Sequence, residues 1–403
     1  MASEIYFDRY AYPEVLFPRF HPPENTKIVV TLPSFNETKT HEAVQSLMSC
    51  NPPEGQVILL VLVNEPEGAP REVAEANRKT YEAIRALLTP TWMTIKVTHL
   101  KLSIKHAGVG LARKMAMDEA ARWYKKINYD GPIVCFDADC TCEQNFLSTI
   151  EDSFTKGAIN SAVTFFEHPL ENPEIIDYEL YLRYYIDGLR YAQFPFAYQT
   201  LGSCISVRSS TYQSVGGMNR KQAGEDFYFL NQVIPRGQFQ EINHTTVFPA
   251  ARLSDRVPFG TGSALRKIKA EGTYKIENPG IFDDLRDFFL RVPLLFEGET
   301  GSIPESIEHF HLETGFHQAL KKILNHSRTF AAFQKHFWRW WDAFRILKYM
   351  HFATKNRPKV ELSEGLIEMD SRFWQLSLDG KTRKKQLELL RKFDRDWKPG
   401  ILK

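Results

Sequence analysis

Over the first 140 positions, short apolar runs alternate with stretches whose apolar residues recur at helical spacing. Lys27-Ile-Val-Val-Thr-Leu-Pro33 reads as a buried strand closed by its proline. Residues 38–50 have a helical pattern, and Gln56-Val-Ile-Leu-Leu-Val-Leu-Val63 is a second, almost wholly apolar strand. Residues 71–88, rich in Glu, Ala and Arg, predict an amphipathic helix. Residues 93–100 alternate as a third strand, and 132–136 form a fourth. Between them, 110–127 set Ala112, Met115, Ala116 and Ala120 on one helical stripe. Strands apolar on both faces, separated by helices, predict an α/β, Rossmann-like parallel sheet covered on both sides.

Ligands of such sheets bind beyond the carboxyl ends of the strands. Three of those ends carry polar residues: Ser34 to Glu37 after the first strand, Asn64 and Glu65 after the second, Asp137 and Asp139 after the fourth. Past residue 150 the pattern changes. Residues 160–166 and 202–208 read as strands, 173–191 as a Tyr-rich helix and 224–233 as a short helix. From about 265 the chain is mainly α-helical and dense in Phe and Trp, whereas 1–25 is a Pro- and aromatic-rich surface segment.

A length of 403 residues allows two domains, and 43% hydrophobic with 25% charged residues fits a soluble globular chain. The formal net charge of +2 sets up no field that would steer the reading, and no nucleic-acid partner is expected. The five cysteines include no C-x2-C pair, and Cys140 and Cys142 are too close in sequence to bridge each other readily. They read as small apolar residues in a reducing compartment. The start, MASEIYFDRY, lacks the apolar run of a signal peptide, and no stretch offers the ~20 apolar residues of a membrane span. A cytoplasmic location is the expectation.

Asp137 and Asp139 project to one side of an extended backbone and repel each other when both are ionised. A hard divalent ion, Mn²⁺ or Mg²⁺, would relieve that repulsion and bind a substrate phosphate. The alternative is an acidic loop capping the next helix; the buried strand that delivers both carboxylates to the rim favours the metal. A second acidic pair, Glu225-Asp226, follows the glycine-rich turn Gly216 to Gly224 at a helix start. It suits either the helix dipole or a general base beside an acceptor hydroxyl, and spacing alone does not choose.

Taken in order, these segments resemble the family 2 glycosyltransferases, enzymes of the GT-A fold. The resemblance rests on Val30-Thr-Leu-Pro-Ser-Phe-Asn-Glu37, Val61 to Glu65, Lys105-His-Ala-Gly-Val-Gly-Leu-Ala-Arg113, Phe136-Asp-Ala-Asp139, Gly202 to Arg208, Val215 to Gly217 and Gly224 to Asp226. It covers about residues 26–260, and Lys114 stands where the family usually has Asn. It implies a hexosyltransferase-type enzyme that moves a sugar from a nucleoside-diphosphate donor to a hydroxyl acceptor, with inversion. Pro33, Phe35, Glu37, Asn64 and Glu65 would hold the base and ribose. Asp137 would lie near the ribose or metal, Asp139 would bind the ion, and Asp226 would be the base with Glu225 beside it. Lys105 and Arg113 are candidates for the diphosphate. The resulting division is a 26–263 catalytic domain, with a nucleotide-binding half to 140 and an acceptor half from 141, and a 264–403 helical domain.

The family often supplies a third metal ligand downstream of the second acidic pair. Here His244 and Asp255 are the candidates, with His244 a poor match by spacing. Arg252, Arg256 and the loop Phe259-Gly-Thr-Gly-Ser263 suit the diphosphate instead, or are an ordinary turn with surface arginines. In 333–350, Phe337, Trp341, Phe344 and Leu347 recur at helical spacing among basic residues. Such a stripe packs against the protein or lies on a membrane surface, and packing is the commoner use. Two rivals remain at this stage. One is a sugar-nucleotide nucleotidyltransferase, whose basic Gly-rich turn is replaced here by the acidic Pro33 to Glu37. The other is a catalytically silent carbohydrate-binding scaffold, against which the retained carboxylates speak.

Overall fold

A computed structural model describes residues 2–105, 107–251, 261–299 and 301–398. The chain divides into two compact units, Met1–Glu171 with Thr200–Ser263, and Asn172–Gln199 with Ala264–Lys403.

The first unit is built on one sheet. Its strands are β1 (Thr26–Ser34), β2 (Gln56–Pro66), β3 (Met93–Leu102), β4 (Pro132–Cys135), β5 (Thr141–Cys142), β6 (Ser161–Phe166), β7 (Ile205–Arg208) and β8 (Phe239–Phe248), in the order β3-β2-β1-β4-β7-β6-β8-β5. Parallel pairing joins β3, β2, β1 and β4, and again β6 with β8; β7 runs antiparallel to both β4 and β6. This is the expected α/β architecture, a mostly parallel sheet flanked by helices. The apolar runs of β1 and β2 are buried on both faces, which is why they read as continuous rather than alternating.

Two strand ends differ from expectation. Pro33 does not close β1: Ser34 still pairs with Val63 of β2. Thr31 turns its carbonyl to Phe136 beside β4, so Pro33, two residues on, directs its missing N–H to the side where β4 has already ended. Asn64 and Glu65 likewise do not follow β2 but belong to it, paired with Leu100 and Lys101.

The helix Val109–Lys126 is buried almost all round. One side lies on the sheet, and the other is covered by the amino-terminal segment. Its acids are the anchors. Asp118 Oδ1 accepts the hydroxyls of Tyr6 and Tyr212, its Oδ2 accepts the Tyr12 N–H at 2.6 Å, and Lys114 Nζ lies 3.1 Å from that same Oδ2. Glu119 accepts the N–H groups of Leu16 and Phe17, and Phe17 and Phe20 pack their rings on Trp123. Asp118→Ala is expected to cost about 3 kcal/mol or more, because it strips a buried ammonium and two buried hydroxyls of their acceptor. Urea denaturation measures this; a loss under about 1 kcal/mol would make the anchor incidental.

The second unit is helical. The helix Pro173–Tyr191, which the sequence pattern grouped with the acceptor half, belongs here. The reason is a buried charge network. Arg183 bonds Glu179 and Asp394, Arg391 bonds Glu179 at 2.8 Å, and Arg190 bridges Asp187 and Asp394 at 2.8 Å each. Such charges stay buried only when paired. The 333–350 stretch is two helices, Phe330–Trp340 and Ala343–Ala353. Phe337, Trp341 and Tyr349 are buried inside this unit against Phe288, Phe289 and Phe310, so two of the four stripe residues, Phe337 and Trp341, pack inward, and Phe344 is half-buried. Leu347 alone of the four stripe residues is exposed. No helix among the described residues is long and apolar enough to cross a membrane.

Candidate active site

Three segments of the first unit converge on one guanidinium carried by a fourth. Arg113 sits in the second turn of Val109–Lys126 and is 2% exposed. Its Nη2 donates to Asp137 Oδ1 at 2.8 Å, its Nη1 to the Gly202 carbonyl at 2.9 Å, and its Nε to Glu225 Oε1 at 3.3 Å. Asp137 stands just past β4, with Phe136 between them. The preceding Phe136 is still bonded to Thr31, so the carboxylate leaves the sheet at a fixed height.

Glycines make the convergence possible. A Cβ on Gly202 would lie 2.9 Å from Arg113 Nη2 and 3.2 Å from Asp226 Oδ2. At Gly110 it would meet the Lys221 carbonyl at 2.1 Å, so the helix start and the 219–224 loop touch backbone to backbone. Gly224, at φ 70°, turns the loop into the helix Glu225–Val233.

The two acids at that helix start differ. Glu225 is 3% exposed and its carboxylate faces Arg113. Asp226 is half-buried, and its Oδ1 accepts the Phe227 N–H at 2.7 Å. Burial pushes Glu225 up to about 7, against the pull of Arg113 and with the help of the Asp226 charge. Burial raises Asp226 too, again opposed by Arg113. Burial alone would lower the Arg113 pKa, but Asp137 first, and also Glu225 and Asp226, outweigh it and keep the guanidinium charged.

Asp137, Asp139 and Cys140 place ligand-capable atoms within 4.8 Å of one another. Both carboxylates are half-buried and reachable, the donor type a hard divalent ion takes. Burial raises the Cys140 thiol pKa, and the thiol donates to Asp139 at 3.8 Å. His244 is exposed on β8, its carbonyl taken by Asn145, and it is not in this group. Arg252, Asp255 and Arg256 lie outside the described residues.

At the β1 and β2 ends, Pro33, Glu37, Asn64 and Glu65 are buried and Phe35 is half-buried. Glu37 accepts the Lys39 N–H at 2.9 Å, and Glu65 lies 3.1 Å from His99 Nε2 and 3.7 Å from Lys101 Nζ. Asn77 organises this edge: it accepts the Asn36 N–H at 2.8 Å and donates to the Asn64 carbonyl and to Glu65. Sequence reasoning missed Asn77, although it stands seven residues before Ile84 on the buried stripe of its helix, where a polar residue is out of place. It also missed the carbonyl of Gly202. Lys105 is exposed, with its carbonyl accepting from Gln222.

No family model matches the chain, and no curated protein does. Solved structures similar to it include S. aureus TarS 1–349 in complex with UDP-GlcNAc, at 13% identity and a TM-score of 0.41, over 66% of this chain and 72% of that one. A second structure of S. aureus TarS 1–349 gives 14% and 0.39, over 66% and 71%.

Proposed function

We propose that the chain is a family 2-like glycosyltransferase of the GT-A fold. It would transfer a sugar from a nucleoside-diphosphate donor to a hydroxyl acceptor, with inversion and with Mn²⁺ or Mg²⁺. The observation that carries this reading is the Arg113 cluster, which joins the acid after β4 to the acidic pair at the 225 helix start. One guanidinium thus ties a carboxylate at the β4 end to the acidic helix start, which supports a site where donor and acceptor are held together.

In this reading Asp139 and Asp137 hold the divalent ion, which when bound neutralises charge gathering on the leaving diphosphate. Asp226 accepts the proton of the acceptor hydroxyl. The freed oxygen attacks the anomeric carbon from the face opposite the diphosphate, the bond from that carbon to the phosphate oxygen breaks, and the electron pair leaves with the diphosphate. The β1 and β2 ends, with Pro33, Phe35, Glu37, Asn64 and Glu65, form the edge for base and ribose. A cytoplasmic setting accompanies this reading, resting on the cysteine usage.

The test is a thermal-shift panel of UDP, GDP, CDP and dTDP and their sugars with Mn²⁺, Mg²⁺ or EDTA. A ligand that binds the native state raises the melting temperature, by about 2.7 kcal/mol of added stability at a hundredfold excess over Kd. One nucleotide is expected to shift the protein, and EDTA to abolish the shift. No shift with any nucleotide would favour the silent scaffold, and release of pyrophosphate from a nucleoside triphosphate with a sugar phosphate would favour the nucleotidyltransferase.

A further inference from the structure

We propose that Arg113 is a positioning residue rather than a diphosphate ligand: it holds the acceptor-side acids in register with the donor-side carboxylate, with Glu225 as its anchor and Asp226 left as the reacting base. This rests on the glycosyltransferase reading above.

The geometry separates the roles. Three different N–H groups of one guanidinium go to three different segments, the end of β4, the turn before β7 and the 225 helix. The rigid planar fork can do this; an ammonium on a flexible stem cannot hold three directions at once. At 2% exposure the group has little surface left to offer a phosphate. Glu225 spends its carboxylate on this fork and is itself 3% exposed, whereas the neighbouring Asp226 is half-buried. The two adjacent acids therefore divide the work. Without the guanidinium, Asp137 and Glu225 would lose the cation bonded to both, and the repulsion among Asp137, Glu225 and Asp226 would drive them apart. Gly202 adds a constraint of its own: any side chain there would push between Arg113 and Asp226.

The experiment compares wild type, Arg113→Lys and Glu225→Gln, following nucleoside diphosphate release from the donor that the thermal-shift panel selects, with water as acceptor. Arg113→Lys keeps the charge and loses the fork. Its kcat is expected to fall about 100-fold with donor KM changed by less than about threefold, and the rising limb of its rate–pH profile to move. Glu225→Gln is expected to lose about tenfold, well short of a change at Asp226 itself. If Arg113→Lys only melts lower, with kcat and pH profile intact, Arg113 is structural and the proposal falls. If donor KM rises while kcat holds, Arg113 binds the diphosphate and the proposal also falls. Should Arg113→Lys not fold, Glu225→Gln decides: a loss as large as that of Asp226→Asn overturns the division of roles. Wild-type protein that releases no nucleotide from any donor overturns the glycosyltransferase reading itself, a result distinct from the others.

Discussion

Asp139→Ala is expected to abolish the metal-dependent stabilisation of the protein by its nucleoside diphosphate and to lower donor turnover on the order of 10³-fold. The carboxylate stands two residues past Asp137 on the loop leaving β4, within the cluster whose ligand-capable atoms lie within 4.8 Å of one another. Removing it leaves Asp137 as the sole carboxylate of that group, and Asp137 already accepts a bond from Arg113. One carboxylate, already shared with Arg113, would hold a divalent ion poorly. The melting temperature without ligand should change little, since Asp139 is half-buried and near the surface of its loop. Titration of the variant with Mn²⁺ and nucleotide, beside wild type in EDTA, gives the comparison. If the variant still shows the wild-type shift, and EDTA leaves that shift in place, the ion is not held at this pair.

Asp226→Asn should leave nucleotide binding within about twofold of wild type while transfer falls by a factor on the order of 10² or more. The amide keeps the bond from the Phe227 N–H but cannot take a proton. The pH dependence follows in sign. The base acts as a carboxylate, so the rate rises with pH as it ionises. Burial raises Asp226 and pushes Glu225 up to about 7, so that rise lies above the usual range of an aspartate. The variant should lose both the rate and this limb. Equal loss of nucleotide binding and of transfer would make Asp226 a structural residue.

Most of the candidate site could be found along the chain because its members sit at element ends. Asp137 and Asp139 stand where an apolar run stops, and Glu225 and Asp226 where a glycine turn becomes a helix. Both boundaries are set by local rules, burial on one side and φ freedom on the other. Asn77 and Gly202 were not found. The first is a polar residue that bonds the backbone of another strand's end, and the second contributes a carbonyl, which no residue type announces.

Local pattern therefore determined the alternation of strands and helices, the burial of β1 and β2 on both faces, and the delivery of acids to the rim. Each depends on periodicity and solvation within about ten residues. Tertiary structure decided what the charges do. Arg113 meets partners 24, 89 and 112 residues away, and those meetings bury its guanidinium among them. The helix Pro173–Tyr191 joined the second unit for the same reason, through Arg183 and an aspartate 211 residues distant. A buried charge is tolerated only beside its partner, and which partner arrives is set by strand order and crossovers, not by the residues on either side of it.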